Sequence, residues 1–190
     1  MEALLFSTGV VALAEMGDKT QLLAFILAAR FKKPLPIIAG IFCATVVNHG
    51  LAGALGAWIT SMVTPGTLRW VLGLSFLGMA AWTLVPDKIE EEETQVAKQF
   101  GVFGATLVTF FLAEMGDKTQ IATIALAAKY GNPLLVVVGT TLGMLIADIP
   151  AVFVGDRFAA RIPLKLVHSI AAAMFAVMGV LALLNVGGLL

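Results

Sequence analysis

Cysteine and charged residues are scarce in this chain. The single cysteine, Cys43, excludes an internal disulfide. Only 13% of the 190 residues are charged, against about 25% in soluble domains. By contrast, 59% are hydrophobic, and the mean hydropathy is +0.98. This composition excludes a soluble globular protein and indicates an integral membrane protein.

A basic segment of the signal-peptide type is also missing from the first 29 residues. Glu2 stands where a positive region would be expected, and the following apolar stretch contains Glu15 and Asp18. We therefore interpret this stretch as the first membrane span and not as a cleaved leader.

The apolar runs predict an all-α membrane fold with six transmembrane helices, since about 20 apolar residues cross a bilayer. The predicted spans are Leu4–Ala29, Leu35–Val63, Leu68–Val85, Val102–Ala128, Leu134–Val154 and Leu164–Leu184.

The basic residues between the spans predict the orientation. One side of the predicted fold carries Arg30, Lys32, Lys33, Lys88, Lys98, Arg157, Arg161 and Lys165. The opposite side has Arg69 and Lys129. Because cytoplasmic loops are enriched in Lys and Arg, the richer side is predicted to be cytoplasmic and both termini to lie outside.

The chain contains an internal repeat. The nine residues LAEMGDKTQ occur at Leu13–Gln21 and again at Leu112–Gln120. The same offset aligns Pro34 with Pro133, Gly40 with Gly139, and His49 with Asp148. We predict a first three-helix repeat at residues 1–86, an acidic cytoplasmic linker at 87–99 and a second repeat at 100–190. Three spans are an odd number, so the second repeat would enter the membrane inverted, as is typical of secondary transporters.

Each copy of the motif places charge inside an apolar run. In a continuous helix, Glu15, Asp18 and Lys19 would fall within an arc of about 100°. Each ionised group costs about 2.5–3.5 kcal/mol at the bilayer centre, so these side chains should face the protein interior. Gly17 could also permit an unwound turn with free backbone carbonyls. A structural Glu–Lys pair is the alternative to an ion site, and exact repetition of the motif makes it less favourable.

Together the motifs supply four carboxylates, Glu15, Asp18, Glu114 and Asp117, against two lysines. The resulting charge of minus two would be neutralised by protons or by one divalent cation, and oxygen ligands suit magnesium, calcium or manganese. The neighbouring residues that could add ligands or gate the site are Thr20, Thr119, Gln21, Gln120, Lys19, Lys118, Met16 and Met115. No resident cofactor is predicted.

Two further polar positions lie within predicted spans. Asn48 and His49 fall in the second span, and Asp148 occupies the aligned place in the fifth. A proton relay and a structural hydrogen-bonded pair of His49 with Asp148 both fit this pattern.

Two E-x-G-D-[KR]-[TS] motifs, in the first and fourth of six helices, resemble the GDT-type family of cation exporters. That family includes bacterial MneA-type manganese exporters and a Golgi manganese/calcium transporter. The resemblance covers essentially the whole chain. It implies export of manganese, with calcium as second candidate, in exchange for protons, with the four motif carboxylates as ligands. Short loops and the lack of a targeting segment resemble bacterial members and imply the inner membrane.

Two alternatives differ in class. G-D after a membrane glutamate is similar to the G-x-G-D element of intramembrane aspartyl proteases, but these do not require a duplicated motif with lysine. Another cationic solute, such as an amino acid, is the second alternative, and four acids against two lysines favour a dication. The expected partners are therefore a divalent cation, protons and the lipid bilayer, with no nucleic acid.

Overall fold

The computed structural model describes residues 1–85, 101–154 and 164–185, which form α-helices and no strands. The helices are α1 (Glu2–Glu15), α2 (Lys19–Phe31), α3 (Pro34–Met62), α4 (Pro65–Thr83), α5 (Gly101–Glu114), α6 (Lys118–Tyr130), α7 (Pro133–Val154) and α8 (Leu164–Leu184). The predicted all-α class is confirmed for these residues. Proline begins α3, α4 and α7, a position where its missing N–H costs no helical hydrogen bond.

Both copies of the motif break their helix. α1 ends at Glu15 and α2 begins at Lys19, and α5 and α6 are separated in the same way. Gly17 and Gly116 have φ of 79° and 80°, a left-handed conformation that costs glycine little. The unwound turn that the sequence allowed at Gly17 is therefore present, and Glu15, Asp18 and Lys19 do not share one continuous helix, because the glycine turn resets the direction of the chain between them.

Length and hydropathy separate the described helices into two groups, apart from α4, which has 19 residues and is not among those apolar enough to cross a membrane alone. Within the described residues, Pro34–Met62, Pro133–Phe153 and Lys165–Leu184 are long and apolar enough to cross a membrane alone. α1 and α5 have 14 residues each, and α2 and α6 have 13 each. These four are shorter than the roughly 20 residues that one span needs, so they could cross only in pairs.

The helices pack in a pattern that is nearly unchanged when the two halves are exchanged. α1 packs along α7 as α5 packs along α3, and α2 contacts α7 as α6 contacts α3. Aligned glycines make the first two contacts close: a Cβ on Gly40 would lie 2.7 Å from Thr106 Cβ, and one on Gly139 would lie 2.6 Å from the Leu4 carbonyl oxygen. Small residues at such crossings let membrane helices approach each other.

The packing of the α4–α8 pair on the other helices is not preserved when the two halves are exchanged. α4 and α8 pack together through Phe76 and Phe175, whose ring centroids are 6.4 Å apart. This α4–α8 pair packs on α1 and α6, whereas the described residues show no comparable packing of α4 on α5 or of α8 on α2.

Several predicted features lie outside the described residues. These are the linker at residues 87–99 and the basic residues Lys88, Lys98, Arg157 and Arg161. The repeat boundaries at 86 and 100 stay a prediction.

Candidate cation site

The four motif carboxylates lie at the two helix breaks. Glu15 and Glu114 are the last residues of α1 and α5, and Asp18 and Asp117 are the N-caps of α2 and α6. All four side chains are buried. The breaks thus place the glutamates at the negative C-terminal ends of α1 and α5 and the aspartates at the positive N-terminal ends of α2 and α6.

Three of these carboxylates form a compact cluster. Oxygen atoms of Glu15, Glu114 and Asp117 all lie within 4.8 Å of one another. Ligands on opposite sides of an ion with bonds of about 2.3–2.6 Å stand about 4.6–5.2 Å apart, so one ion could contact all three. We call this group the carboxylate cluster.

Each glutamate of the carboxylate cluster has one oxygen held and one available. The Thr20 hydroxyl donates to Glu15 Oε2 at 2.6 Å, and the Thr119 hydroxyl donates to Glu114 Oε2 at 2.8 Å. The Oε1 atoms of both glutamates are buried and have no hydrogen-bond partner within residues 1–85, 101–154 and 164–185. A buried carboxylate oxygen without a partner is costly, and a bound cation or proton would relieve that cost.

The lysines pair across the two motifs. Lys118 Nζ lies 2.8 Å from Asp18 Oδ2, and Lys19 Nζ lies 3.6 Å from Asp117 Oδ1. The structural alternative, a Glu15–Lys19 pair within one helix, is not what the structure shows, because the break at Gly17 separates the two residues and Lys19 lies beside Asp117 of the opposite motif. Lys19 and Lys118 thus lie beside the site.

The glutamines of the motifs stabilise the breaks themselves. Gly17 N donates to Gln21 Oε1 at 2.9 Å, and Gly116 N donates to Gln120 Oε1 at 2.8 Å. These side-chain carbonyls satisfy the backbone of the turn, as capping side chains do at helix ends. Gln21 and Gln120 therefore act as supports for the breaks in this arrangement, and their amide oxygens are already engaged.

The methionines differ between the motifs. Met16 is half-buried, whereas Met115 is 55% exposed. More than half of the Met115 side chain therefore lies outside the buried interior, and its role as a sulfur ligand stays a prediction. The backbone of Met16 has a partner that the sequence did not reveal: His168 Nε2 on α8 donates to its carbonyl oxygen at 2.5 Å.

Asn48, His49 and Asp148 are fully buried. Asn48 Nδ2 donates to the Phe111 carbonyl at 3.1 Å, in the last turn of α5. Of the two alternatives, the hydrogen-bonded pair of His49 with Asp148 is not present: in the part of the chain that is described, neither side chain has a hydrogen-bond partner. Asp148 directly follows Ala147, whose carbonyl accepts from Gln21 Nε2 of the first break at 2.8 Å.

The amino-acid sequence has relatives among known proteins. The model of the divalent cation/proton antiporter GDT1 family matches residues 3–91 and 102–188. The chain belongs to the GDT1 family. The resemblance indicated by the doubled motif is confirmed.

Relatives of this GDT1 chain occur in plants and in bacteria, including a cyanobacterium. A Vibrio cholerae protein described as a "Putative manganese exporter" is 50% identical over 179 residues, which cover 94% of this chain and 88% of that protein. The GDT1-like protein 3 of Oryza sativa is 31% identical over 199 residues, covering 92% and 71%. A GDT1-like protein of Synechocystis is 29% identical over 191 residues, covering 90% and 92%. No solved structure matches the chain.

Membership in the GDT1 family settles the class of protein. The family consists of cation/proton antiporters, so this chain is a membrane transporter and not an enzyme. The intramembrane protease alternative is thereby excluded.

Proposed function

We propose that this GDT1 chain exports divalent cations, foremost manganese and secondarily calcium, from the cytoplasm in exchange for protons. The observation that carries the proposal is the carboxylate cluster, in which each of two buried glutamates has one oxygen without a hydrogen-bond partner among the described residues. The family description names divalent cations and protons as substrates, and the description of the Vibrio cholerae relative names manganese.

The proposed fold has six spans in two inverted repeats. α1 with α2, and α5 with α6, would each form one broken span, since each pair together exceeds the roughly 20 residues required. Support comes from the packing pattern, which is nearly unchanged when the halves are exchanged. We propose that the protein lies in a bacterial inner membrane with both termini outside the cytoplasm. The excess of Lys and Arg on one side of the predicted fold supports this orientation.

Charge balance supports exchange of a cation for protons. The four motif carboxylates and two lysines have a net charge of minus two, and one divalent cation would neutralise it. Like charges about 4 Å apart repel by roughly 4 kcal/mol at an effective dielectric near 20, so protons should replace the ion when it leaves. We propose that Glu15 and Glu114 bind the cation together with the motif aspartates, Asp18 and Asp117.

Asn48, His49 and Asp148 form the proposed route for protons. Asp148 is fully buried beside Ala147, whose carbonyl accepts from Gln21 of the first break, and His49 occupies the aligned position on α3. Ionisable groups inside a membrane protein are typical of proton pathways.

An amino acid fits this site less well than a dication. Its ammonium group could use the carboxylates, but its carboxylate would need a basic partner. Both motif lysines already pair with Asp18 and Asp117. We therefore do not favour the amino-acid alternative.

The test uses the purified full chain in sealed liposomes, with a manganese-sensitive dye and a pH dye on opposite sides. An imposed proton gradient should drive manganese flux with protons moving the other way, and Glu15→Gln should abolish both. Flux that ignored the proton gradient would indicate a channel or uniporter. The absence of manganese and calcium flux from the unaltered chain would overturn the proposal.

A further inference from the structure

One hydrogen bond joins α8 to the first break, which separates α1 from α2. His168 Nε2 on α8 donates to the Met16 carbonyl oxygen at 2.5 Å. Met16 is the C-cap of α1 and has an extended ψ of 117°, so its carbonyl needs a partner from outside the helix. His168 supplies that partner and ties α8 to the turn between two of the motif carboxylates.

The second break, which separates α5 from α6, is more exposed. Met16 and Gly17 of the first break are half-buried, whereas the aligned Met115 and Gly116 are exposed. Among the described residues, α8 packs on α1, but α4 shows no comparable packing on α5. One break is therefore covered by the α4–α8 pair and the other is not.

The first repeat has an equivalent of His168 on α4. The offset that aligns the two motifs also aligns Phe76 with Phe175 and Arg69 with His168. Phe76 and Phe175 pack against each other in the α4–α8 pair, so the alignment holds in the structure. Arg69 and His168 thus occupy equivalent positions, and both side chains are hydrogen-bond donors.

The Arg69 side chain differs from His168 in its contacts. Its Nε atom is buried and has no hydrogen-bond partner within residues 1–85, 101–154 and 164–185. Its guanidinium carbon lies 5.8 Å from the ring centroid of the adjacent Trp70, which is a contact within α4. A buried N–H group without a partner is costly, so we expect Arg69 to reach an acceptor in another arrangement of the helices.

The short helices extend from the breaks to two opposite sides. Phe6, near the start of α1, and Tyr130, the last residue of α6, have ring centroids 6.4 Å apart, so α1 and α6 extend to the same side. Phe31 at the end of α2 and Val102 near the start of α5 pack on one buried cluster, so α2 and α5 extend to the other side. With both termini outside the cytoplasm, as proposed, α1 and α6 form the outer half.

The buried clusters show which half the α4–α8 pair covers. Phe76 and Phe175 of this pair share a cluster with Val10 of α1 and Leu126 of α6. The other cluster, which contains Leu23 of α2, includes no described residue of α4 or α8. The pair thus covers the outer half, and exchanging the two repeats would place it on α2 and α5.

We propose that His168 and Arg69 are equivalent positioning residues, each of which docks the α4–α8 pair on one motif break during transport. In the arrangement described, His168 holds the Met16 carbonyl, the outer half is covered and the carboxylate cluster opens toward the cytoplasm. In the exchanged arrangement, Arg69 holds the Met115 carbonyl, the pair packs on α2 and α5, and the cluster opens to the outside. This inference rests on the proposed function and adds the residues that stabilise its two arrangements.

Two aligned cysteines test the inference in a background without the native thiol, Cys43→Ser. Met16→Cys and Met115→Cys each report how well water reaches one break, through the rate of modification by a charged, water-soluble thiol reagent. In the purified full chain, Met115→Cys should react faster than Met16→Cys. The rates follow the populations of the two arrangements, so they detect a shift that a purely structural contact would not cause.

The docking variants should shift the two rates in opposite directions. His168→Ala should slow modification of Met115→Cys and accelerate that of Met16→Cys by about threefold or more, because the described arrangement loses a contact. Arg69→Ala should slow modification of Met16→Cys without slowing that of Met115→Cys, because the exchanged arrangement loses its contact. Each variant should also slow manganese flux in liposomes severalfold, since a full cycle needs both arrangements.

Matched controls separate docking from a general loss of stability. His168→Gln keeps a side-chain N–H donor, so it should restore both modification rates and the flux. Ser169 is the exposed neighbour of His168, and its hydroxyl donates to the Lys165 carbonyl of its own helix. Ser169→Ala should therefore change neither rate.

The outcomes separate this inference from the proposed function. If the unaltered chain transports manganese but His168→Ala accelerates both modifications equally, or changes neither, the docking is overturned and the antiporter stands. If His168→Ala does not fold, as judged by gel filtration, faster modification of Met16→Cys in Arg69→Ala overturns the docking instead. If the unaltered chain transports neither manganese nor calcium, the proposed function fails and the docking inference fails with it.

Discussion

The first and second breaks have the same nine residues and different surroundings. The first is covered by α8 and α7, whereas Met115 and Gly116 of the second are exposed. Asp18 of the first break lies 2.8 Å from Lys118, and Asp117 of the second lies 3.6 Å from Lys19. Other contacts are shared: each break has a threonine on its glutamate and a glutamine on its glycine. Local sequence therefore determines the contacts within a break, and packing between helices determines what each break meets.

The largest effect should come from the glutamates, where the two breaks are alike. Glu15→Gln and Glu114→Gln should each reduce manganese affinity by about tenfold or more, because ligand charge strongly tunes the affinity of oxygen-ligand sites. Manganese flux in liposomes should fall together with the affinity in both variants. Normal transport by either variant would contradict the shared role, and insertion of each variant into the membrane fraction is the control.

A second effect should distinguish His49 from Asp148, which occupy aligned positions. Asp148→Asn should slow proton-driven manganese flux severalfold, since Asp148 is a fully buried acid next to Ala147, whose carbonyl contacts Gln21 of the first break. His49→Gln should change it less. Flux measured at several imposed proton gradients gives the comparison, and a larger loss in the His49 variant would reverse the assignment.

Replacing the glycine at either break should lower the thermal stability of the protein by a similar amount. Gly17→Ala and Gly116→Ala put a side chain at φ near 80°, which costs about 1–2 kcal/mol. Thermal unfolding in detergent should therefore shift down by similar amounts in the two variants. Gly9→Ala is the control, because its Cβ would meet nothing within 4 Å and it lies within α1. An unchanged melting temperature in both break variants would contradict the left-handed turns.

The smallest effect should come from Met115, which is 55% exposed. Met115→Leu keeps the size and removes the sulfur, and it should leave both manganese affinity and flux unchanged. Calorimetry on this variant beside Met16→Leu makes the comparison within one aligned pair. A clear loss of manganese affinity in Met115→Leu would indicate that the Met115 sulfur is a ligand of the cation.

Much of the site could be predicted from the sequence, because charge inside an apolar run has few physical explanations. Glu15, Asp18, Glu114 and Asp117 stand out as buried acids for that reason, and their burial is confirmed. The partner of Lys19 could not be predicted, since a continuous helix would place it beside Glu15. His168 gave no signal, because a single histidine on α8 has no identical repeat partner or spacing that marks it.

The amino-acid sequence by itself determined the membrane class, the all-helical fold of the described residues and the family, because apolar run length and a doubled charged motif are properties of the linear chain. Only the tertiary structure decided which lysine meets which aspartate and which break is covered. The physical reason is that the two motifs are identical over nine residues, so nothing local can distinguish them. The difference arises from the α4–α8 pair, which packs on α1 and α6 and leaves α2 and α5 without that contact.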